Sequence, residues 1–327
     1  MSRRMILLGG AAALVGAGLN KLLRIRPLAA CTPPHPAHDY TEAVRRLDVL
    51  QEKERGRVSP VCATQLLTHG HRTAKVIVFL HGFTNCPHQF HQLATLFFER
   101  GYNVLNARIP RHGMADLMTT ELAYLRADEM AALTNEVVDI AHGLGDEVTL
   151  FGFSLGGTLA AWTAQQRADL QQVVVVSPSF GIRAVKPWQG RIYANLLAWL
   201  PNQFRWWDPI LQHTRQAPAH VYPRFTTRGL AELLRMGCIV QHDAQRKAPA
   251  ARAITVITNP CDEVVDNAAT AATVAHWRRH GATVTTYEFP AEWQLIHDLM
   301  DPGQPKQQVA RVYPQLLTWV FNEAQRG

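Results

Sequence analysis

The sequence predicts an α/β protein in which a mostly parallel sheet is covered by helices on both faces. Three observations predict it. Short β-branched runs alternate with longer helical patterns from about residue 60 to the end. Two runs, Val76-Ile77-Val78-Phe79-Leu80 and Val173-Val174-Val175-Val176, are apolar without alternation, as strands buried on both faces are. The chain of 327 residues is 47% hydrophobic and only 18% charged, which supports a sizeable core and argues against global disorder.

The N-terminal stretch stands apart. Arg3 and Arg4 precede an uncharged run over 5–19, which is shorter than the ~20 residues a spanning helix needs. It fits the apolar part of an export signal, and Arg3-Arg4 resembles a twin-arginine signal. Leu28-Ala29-Ala30-Cys31 resembles a lipoprotein cleavage box, although Lys21, Arg24 and Arg26 stand between it and the apolar run. An uncleaved anchor extended by Leu22, Leu23 and Ile25 is the other reading, and a soluble chain with an apolar N-terminal helix is a third. Residues 1–31 are therefore expected to export the chain or hold it at a membrane.

Charge narrows the partners. Lys+Arg 33 minus Asp+Glu 26 gives +7, and the five basic residues of the first 26 leave the remainder at only +2. No basic stripe interleaved with aromatics follows, so nucleic-acid binding is not expected. Nothing in the sequence speaks to oligomeric state. The five cysteines include no CxxC pair and suggest no disulfide framework.

The elements follow in order. The 32–59 stretch contains a Pro-rich break and an amphipathic helix over 39–55, with Val44, Leu47 and Leu50 at helical spacing. Strands are expected at 61–68, 75–80, 102–106, 147–151, 173–177, 254–258 and 283–289. Helices are expected near 88–100, 127–142, 156–167, 268–280 and 306–322. Between 177 and 254 no convincing buried strand occurs, although Trp188, Trp199, Trp206, Trp207, Phe180, Tyr193, Phe204, Tyr222 and Phe225 do. A connection that long is a subdomain or lid, expected over 179–250. Its aromatics either form the lid's own core or face a lipophilic pocket. The core is then 60–178 with 251–327.

Glu147 to Ala160 carries the chemistry. A strand pattern ends at Phe151, Gly152-Phe153-Ser154-Leu155-Gly156 follows, and a helix opens at once. Gly-x-Ser-x-Gly alone is weak, but between strand and helix it marks a nucleophile on a sharp turn. A serine hydroxyl needs a base and donors for the oxyanion it generates. Phe79-Leu80-His81-Gly82-Phe83-Thr84 leaves a buried strand at the same sheet edge. The Phe83 and Leu155 N–H groups are the expected oxyanion donors. His81 reads as a structural histidine under that loop. His88-x-x-His91 lacks an acidic or cysteine partner at ligand spacing, so no metal is expected, and no Gly-rich phosphate cradle asks for a cofactor.

On His81-Gly82-Phe83-Thr84, Arg108-Ile109-Pro110-Arg111-His112-Gly113, Gly152-Phe153-Ser154-Leu155-Gly156-Gly157, Asp262-Glu263-Val264-Val265 and His297-Asp298, the chain resembles the α/β-hydrolase superfamily. It is most similar to the serine carboxylesterase and monoacylglycerol-lipase-like branch, over roughly 60–325. Members usually have Pro-Gly-His-Gly where Pro110-Arg111-His112-Gly113 stands here. The resemblance implies an α/β-hydrolase fold with an inserted helical lid. It also implies a triad in the order serine, acid, histidine, which this chain fills with Ser154, Asp262 and His297. Asp266, the rival acid, sits where a helix cap belongs. The implied activity is hydrolysis of a small-molecule, lipophilic carboxylic ester through an acyl-enzyme. Amide or peptide hydrolysis and acyl transfer are open alternatives, as is a non-catalytic module for a lipophilic ligand.

Overall fold

The computed structural model describes residues 23–29, 33–207 and 218–324. Seven strands form one sheet: β1 (Gln65–Leu67), β2 (Thr73–Leu80), β3 (Asn103–Ala107), β4 (Gly145–Phe153), β5 (Gln172–Val176), β8 (Ile254–Thr258) and β9 (Val284–Glu288). Their order is β1-β3-β2-β4-β5-β8-β9. Only β1 runs antiparallel to its neighbour. The expected run at 61–68 overreaches at its start, because Pro60–Cys62 is a 3₁₀ turn.

Alternate residues of the buried strands serve different layers. Val76, Val78 and Leu80 of β2 join one core, with Leu159 of α4 (Leu155–Gln166), Val137 of α3 (Ala127–Leu144) and Trp277 of α7 (Asn267–Arg279). Ile77 and Phe79 join the other, with Phe97 of α2 (His91–Phe98) and Leu316 of α8 (Val309–Ala324). A strand covered twice needs apolar residues at every position, hence the unbroken runs in the sequence. Helix α1 (Tyr40–Glu54) is capped by Asp39, which accepts from the Glu42 N–H at 2.8 Å, and it packs on α3.

The 177–253 segment is of two kinds. Its first part holds α5 (Gly190–Trp199) and a ribbon of β6 (Phe204–Trp206) with β7 (Arg224–Thr226). Here Trp188 and Trp199 are exposed. Its second part, α6 (Thr227–Ala244), is buried along one face against α4, α3 and α7, so it belongs to the layer flanking the sheet.

Most of the expected leader lies outside the described residues, but 24–29 is described and docks on the body. Ile25 and Leu28 pack against the core. Arg26 pairs with Glu232 at 2.6 Å, and the Ala29 N–H donates to Asp128 at 2.6 Å. The buried Arg235 donates to the carbonyls of Arg26 and Pro27. No helix among the described residues is long and apolar enough to cross a membrane.

Candidate active site

Three loops leave the C-terminal ends of β4, β8 and β9 on one side of the sheet, and each delivers one side chain. Between β4 and α4 the turn is a single residue. Ser154 has φ 55° and ψ −112°, a left-handed backbone that non-glycine residues rarely adopt. The neighbouring glycines are steric necessities. A Cβ on Gly152 would lie 2.0 Å from the Gly156 oxygen, and one on Gly156 would lie 1.9 Å from the Leu80 oxygen. The turn presents the Ser154 hydroxyl at the first turn of α4.

Asp262 follows β8. Its Oδ1 accepts from the N–H groups of Val264 and Val265 at 2.9 and 3.1 Å. Its Oδ2 accepts from His297 Nδ1 at 2.7 Å. Burial pushes the carboxyl up, but the His297 charge and hydrogen bond, with the two amides, outweigh it and hold Asp262 below its ordinary range. His297 lies in the loop after β9, and its Nε2 is 3.0 Å from Ser154 Oγ. Asn259 ties the acid's loop to the base's loop by donating to the carbonyls of Leu295 and Ile296 at 3.0 and 3.2 Å. Asp266 instead caps α7, accepting from the Ala268 N–H at 2.9 Å.

The proton positions follow from these contacts. An ionised Asp262 can only accept, so in the neutral imidazole of His297 the proton sits on Nδ1 and Nε2 is the acceptor. Ser154 then donates to Nε2. Ser179 Oγ lies 3.0 Å from Ser154 Oγ and can donate to it while Ser154 donates to Nε2. Ser179, three residues beyond β5, is a contact that no sequence motif announces.

The loop after β2 lies against the start of α4, where the His81 carbonyl accepts from the Gly156 N–H at 3.0 Å. The Gly82 carbonyl accepts from His81 Nδ1 at 2.9 Å and from the Asn85 N–H at 3.2 Å. In a planar trans peptide this aims the Phe83 N–H the opposite way. Leu155, as the first residue of α4, has an N–H beyond the helix's own ladder. His81 is fully buried, and its Nε2 accepts from the Ile109 N–H at 3.0 Å, the structural use expected of it. Above the loop, Phe83, Trp207 and Phe225 cluster, with Trp207 and Phe225 4.5 Å apart. Trp207 also donates to Thr84 at 2.9 Å. Part of the segment's aromatic content therefore sits over this loop.

Two further features bear on the loop's shape. Cys86 is disulfide-bonded to Cys62, a pairing the sequence does not suggest, since two cysteines 24 residues apart carry no recognisable spacing. Arg111, which replaces the family's usual glycine, still takes the glycine-like φ of 69°. Ion pairs with Glu121 at 2.8 Å and Glu129 at 3.3 Å hold it there, and the Tyr222 hydroxyl donates to its carbonyl at 3.1 Å.

The comparisons agree with this architecture. Residues 71–300 match the Hydrolase_4 family model, described as serine aminopeptidase, S33. An sn-1-specific diacylglycerol lipase of Danio rerio is 29% identical over 160 residues, covering 46% of this chain and 47% of that one. A thermostable monoacylglycerol lipase of Bacillus sp. strain H-257 is 25% identical over 115 residues, covering 33% and 42%. The chain thus spans less than half the length of either relative. The monoacylglycerol lipase structure from Paleococcus ferrophilus superposes with a TM-score of 0.58 at 17% identity, over 80% of this chain and 99% of that one. A parallel sheet with Ser154, Asp262 and His297 brought together at three of its strand ends, and a family match across most of its length, place this chain in the Hydrolase_4 family of the α/β-hydrolases.

Proposed function

We propose that the protein is a serine hydrolase that cleaves lipophilic carboxylic esters through an acyl-enzyme on Ser154. One observation carries the reading: Ser154 Oγ, His297 and Asp262 form an unbroken chain of 3.0 and 2.7 Å contacts. Ser154 Oγ attacks the ester carbonyl as its proton passes to His297 Nε2. The Phe83 and Leu155 N–H groups hold the oxyanion. Collapse breaks the bond to the leaving oxygen, and His297 gives it the proton. Water then attacks the acyl-enzyme by the same route, releasing the acid and restoring the Ser154 hydroxyl. Asp262 fixes the imidazole tautomer and stabilises the imidazolium throughout.

Support for a lipid ester comes from the two lipase relatives and from the aromatic cluster over the Phe83 loop. The 179–250 segment serves as the lid in this reading, through its first part. The apolar run at 5–19 tethers the body to a membrane or directs its export, which brings it to a lipophilic substrate at high local concentration. The family's description as serine aminopeptidases favours peptide amides as a second reading.

The test is covalent labelling by a fluorophosphonate, followed by turnover on a series of model esters of rising acyl length and on matched amides. Ser154→Ala and His297→Ala should each abolish labelling and lower kcat by ~10⁴-fold or more while the protein stays folded. Near-native turnover in either variant would remove the assignment.

A further inference from the structure

Beside the Ser154 site, a line of polar side chains crosses from one functional loop to another. Gln89 is buried, and its amide is used at both ends. Its Oε1 accepts from the Gly82 N–H at 2.8 Å, and its Nε2 donates to Asp298 Oδ1 at 2.8 Å. Gly82 precedes Phe83, and Asp298 follows His297. Asp298 is surrounded by donors. Its Oδ2 accepts from Gln304 at 2.8 Å and from Asn85 at 3.1 Å, and its Oδ1 also meets the Asp301 N–H at 3.2 Å and the Met300 N–H at 3.4 Å. Burial and then the Asp301 carboxylate push the Asp298 carboxyl above the ordinary range, while the Gln304 and Gln89 amides pull it back. Asn85 reaches on to Asp301, which pairs with His220 at 2.8 Å.

We propose that Gln89 and Asp298 are positioning residues that lock the loop carrying the Phe83 donor to the loop carrying the His297 base. The proposal rests on the serine-hydrolase reading above. Neither side chain touches the reacting atoms. Gln89 fixes one side of Gly82 while His81 and Asn85 fix its carbonyl, so the peptide that bears the Phe83 N–H is held from both directions. Asp298 anchors that arrangement to the residue next to the base. The oxyanion donor and the base act on the same transition state, so their separation must be held. An error of about 1 Å in such a placement can cost ~10²-fold.

The order of donor and acceptor makes the proposal testable. The Gly82 N–H can only donate. In Gln89→Glu, the carboxylate still accepts from Gly82 but opposes Asp298 with a second carboxylate. In Asp298→Asn, the Met300 and Asp301 N–H groups keep the amide oxygen where Oδ1 stood, so it still accepts from Gln89, whereas Asp298→Ala removes that acceptor. The experiment uses the full chain at pH 8, with kcat and KM on the best ester, fluorophosphonate labelling rate and Tm for each protein. Gln89→Glu and Asp298→Ala should each lose about 10- to 100-fold in kcat with KM within about threefold, and Asp298→Asn should stay at least about tenfold above Asp298→Ala. If one of these variants does not fold, Gln89→Met answers the same question by removing both bonds without adding charge, and it should show the same kcat loss. A folded Gln89→Glu, Gln89→Met or Asp298→Ala with kcat within about threefold of the parent, or a folded Asp298→Asn no better than Asp298→Ala, would overturn the proposal. An unmodified chain that neither labels nor hydrolyses esters would instead overturn the serine-hydrolase reading beneath it.

Discussion

Asp262→Asn tests the acid most sharply, because the local backbone dictates how the new amide must sit. The Val264 and Val265 N–H groups point at Oδ1, at 2.9 and 3.1 Å. An asparagine keeps its oxygen there, since turning over would forfeit both bonds, about 2 kcal/mol at ~1 kcal/mol each. That preference is roughly 30-fold. The amide N–H₂ then faces His297 Nδ1, where Asp262 Oδ2 stood at 2.7 Å. Two N–H groups cannot share that contact, so the imidazole moves its proton to Nε2, the atom 3.0 Å from Ser154 Oγ. The base is blocked, and the carboxylate no longer stabilises the imidazolium. Together these should lower kcat by ~10⁴-fold, about 5 kcal/mol of barrier. The assay is kcat on the best ester, with folding checked by thermal melting. The control is Asp266→Ala, which loses only the 2.9 Å cap on α7. It should cost ~1 kcal/mol of stability, roughly 2 °C in Tm, with kcat unchanged. An Asp262→Asn enzyme within tenfold of the parent, or a larger kcat loss in Asp266→Ala, would refute the reasoning.

Three more outcomes are expected. Burial holds His112 down at about 4 and His81 well below the ordinary histidine range. The unfolded chain therefore binds more protons below about pH 6.5, so the stability linked to these two groups is present above that pH and lost as it falls toward 4. His112 alone contributes up to about 3 kcal/mol, and a Tm that stays flat from pH 7 to 4.5 would contradict this. Replacing Cys62 and Cys86 by serine opens a cross-link with a sequence separation of 24, which should cost about 3 kcal/mol, read as a lower Tm that reductant no longer changes. Gly156→Ala would drive a Cβ to 1.9 Å from the Leu80 oxygen, so no soluble folded protein is expected, and a normal yield with a normal Tm would show that the turn can open.

The parts legible in the sequence are those that a single segment decides. The unbroken run at 75–80 needs no partner to declare itself a doubly covered strand. Ser154 is located by the strand–turn–helix pattern around it, and Asp262 and His297 by the triad order that the resemblance implies together with their places after strand ends. What stays hidden depends on distant parts of the chain meeting. Cys62 and Cys86 have no telling spacing. Ser179 and Gln89 are ordinary polar residues until Ser154, Gly82 and Asp298 are folded beside them. The sequence groups helix α6 with the lid because it lies between two strands far apart along the chain. Its burial against α4 and α7 shows only when the sheet is assembled. Arg111 departs from the glycine its φ would favour, and the ion pairs that hold it come from Glu121 and Glu129, outside the motif.

The docked residues 24–29 impose an order on the making of this protein. They are synthesised before the described anchors they use. Asp128 lies 99 residues beyond Ala29, and Glu232 lies 206 residues beyond Arg26. Until α6 has formed, Arg26 and the carbonyls that Arg235 will engage lack these partners. A peptidase that cut after residue 29 would remove all of these contacts and leave Arg235 with two N–H donors to be solvated instead. Were the leader an export signal cut at Cys31, its removal and the completion of the fold would be competing fates for the same six residues. The winner would be set by whether cutting or the arrival of α6 comes first.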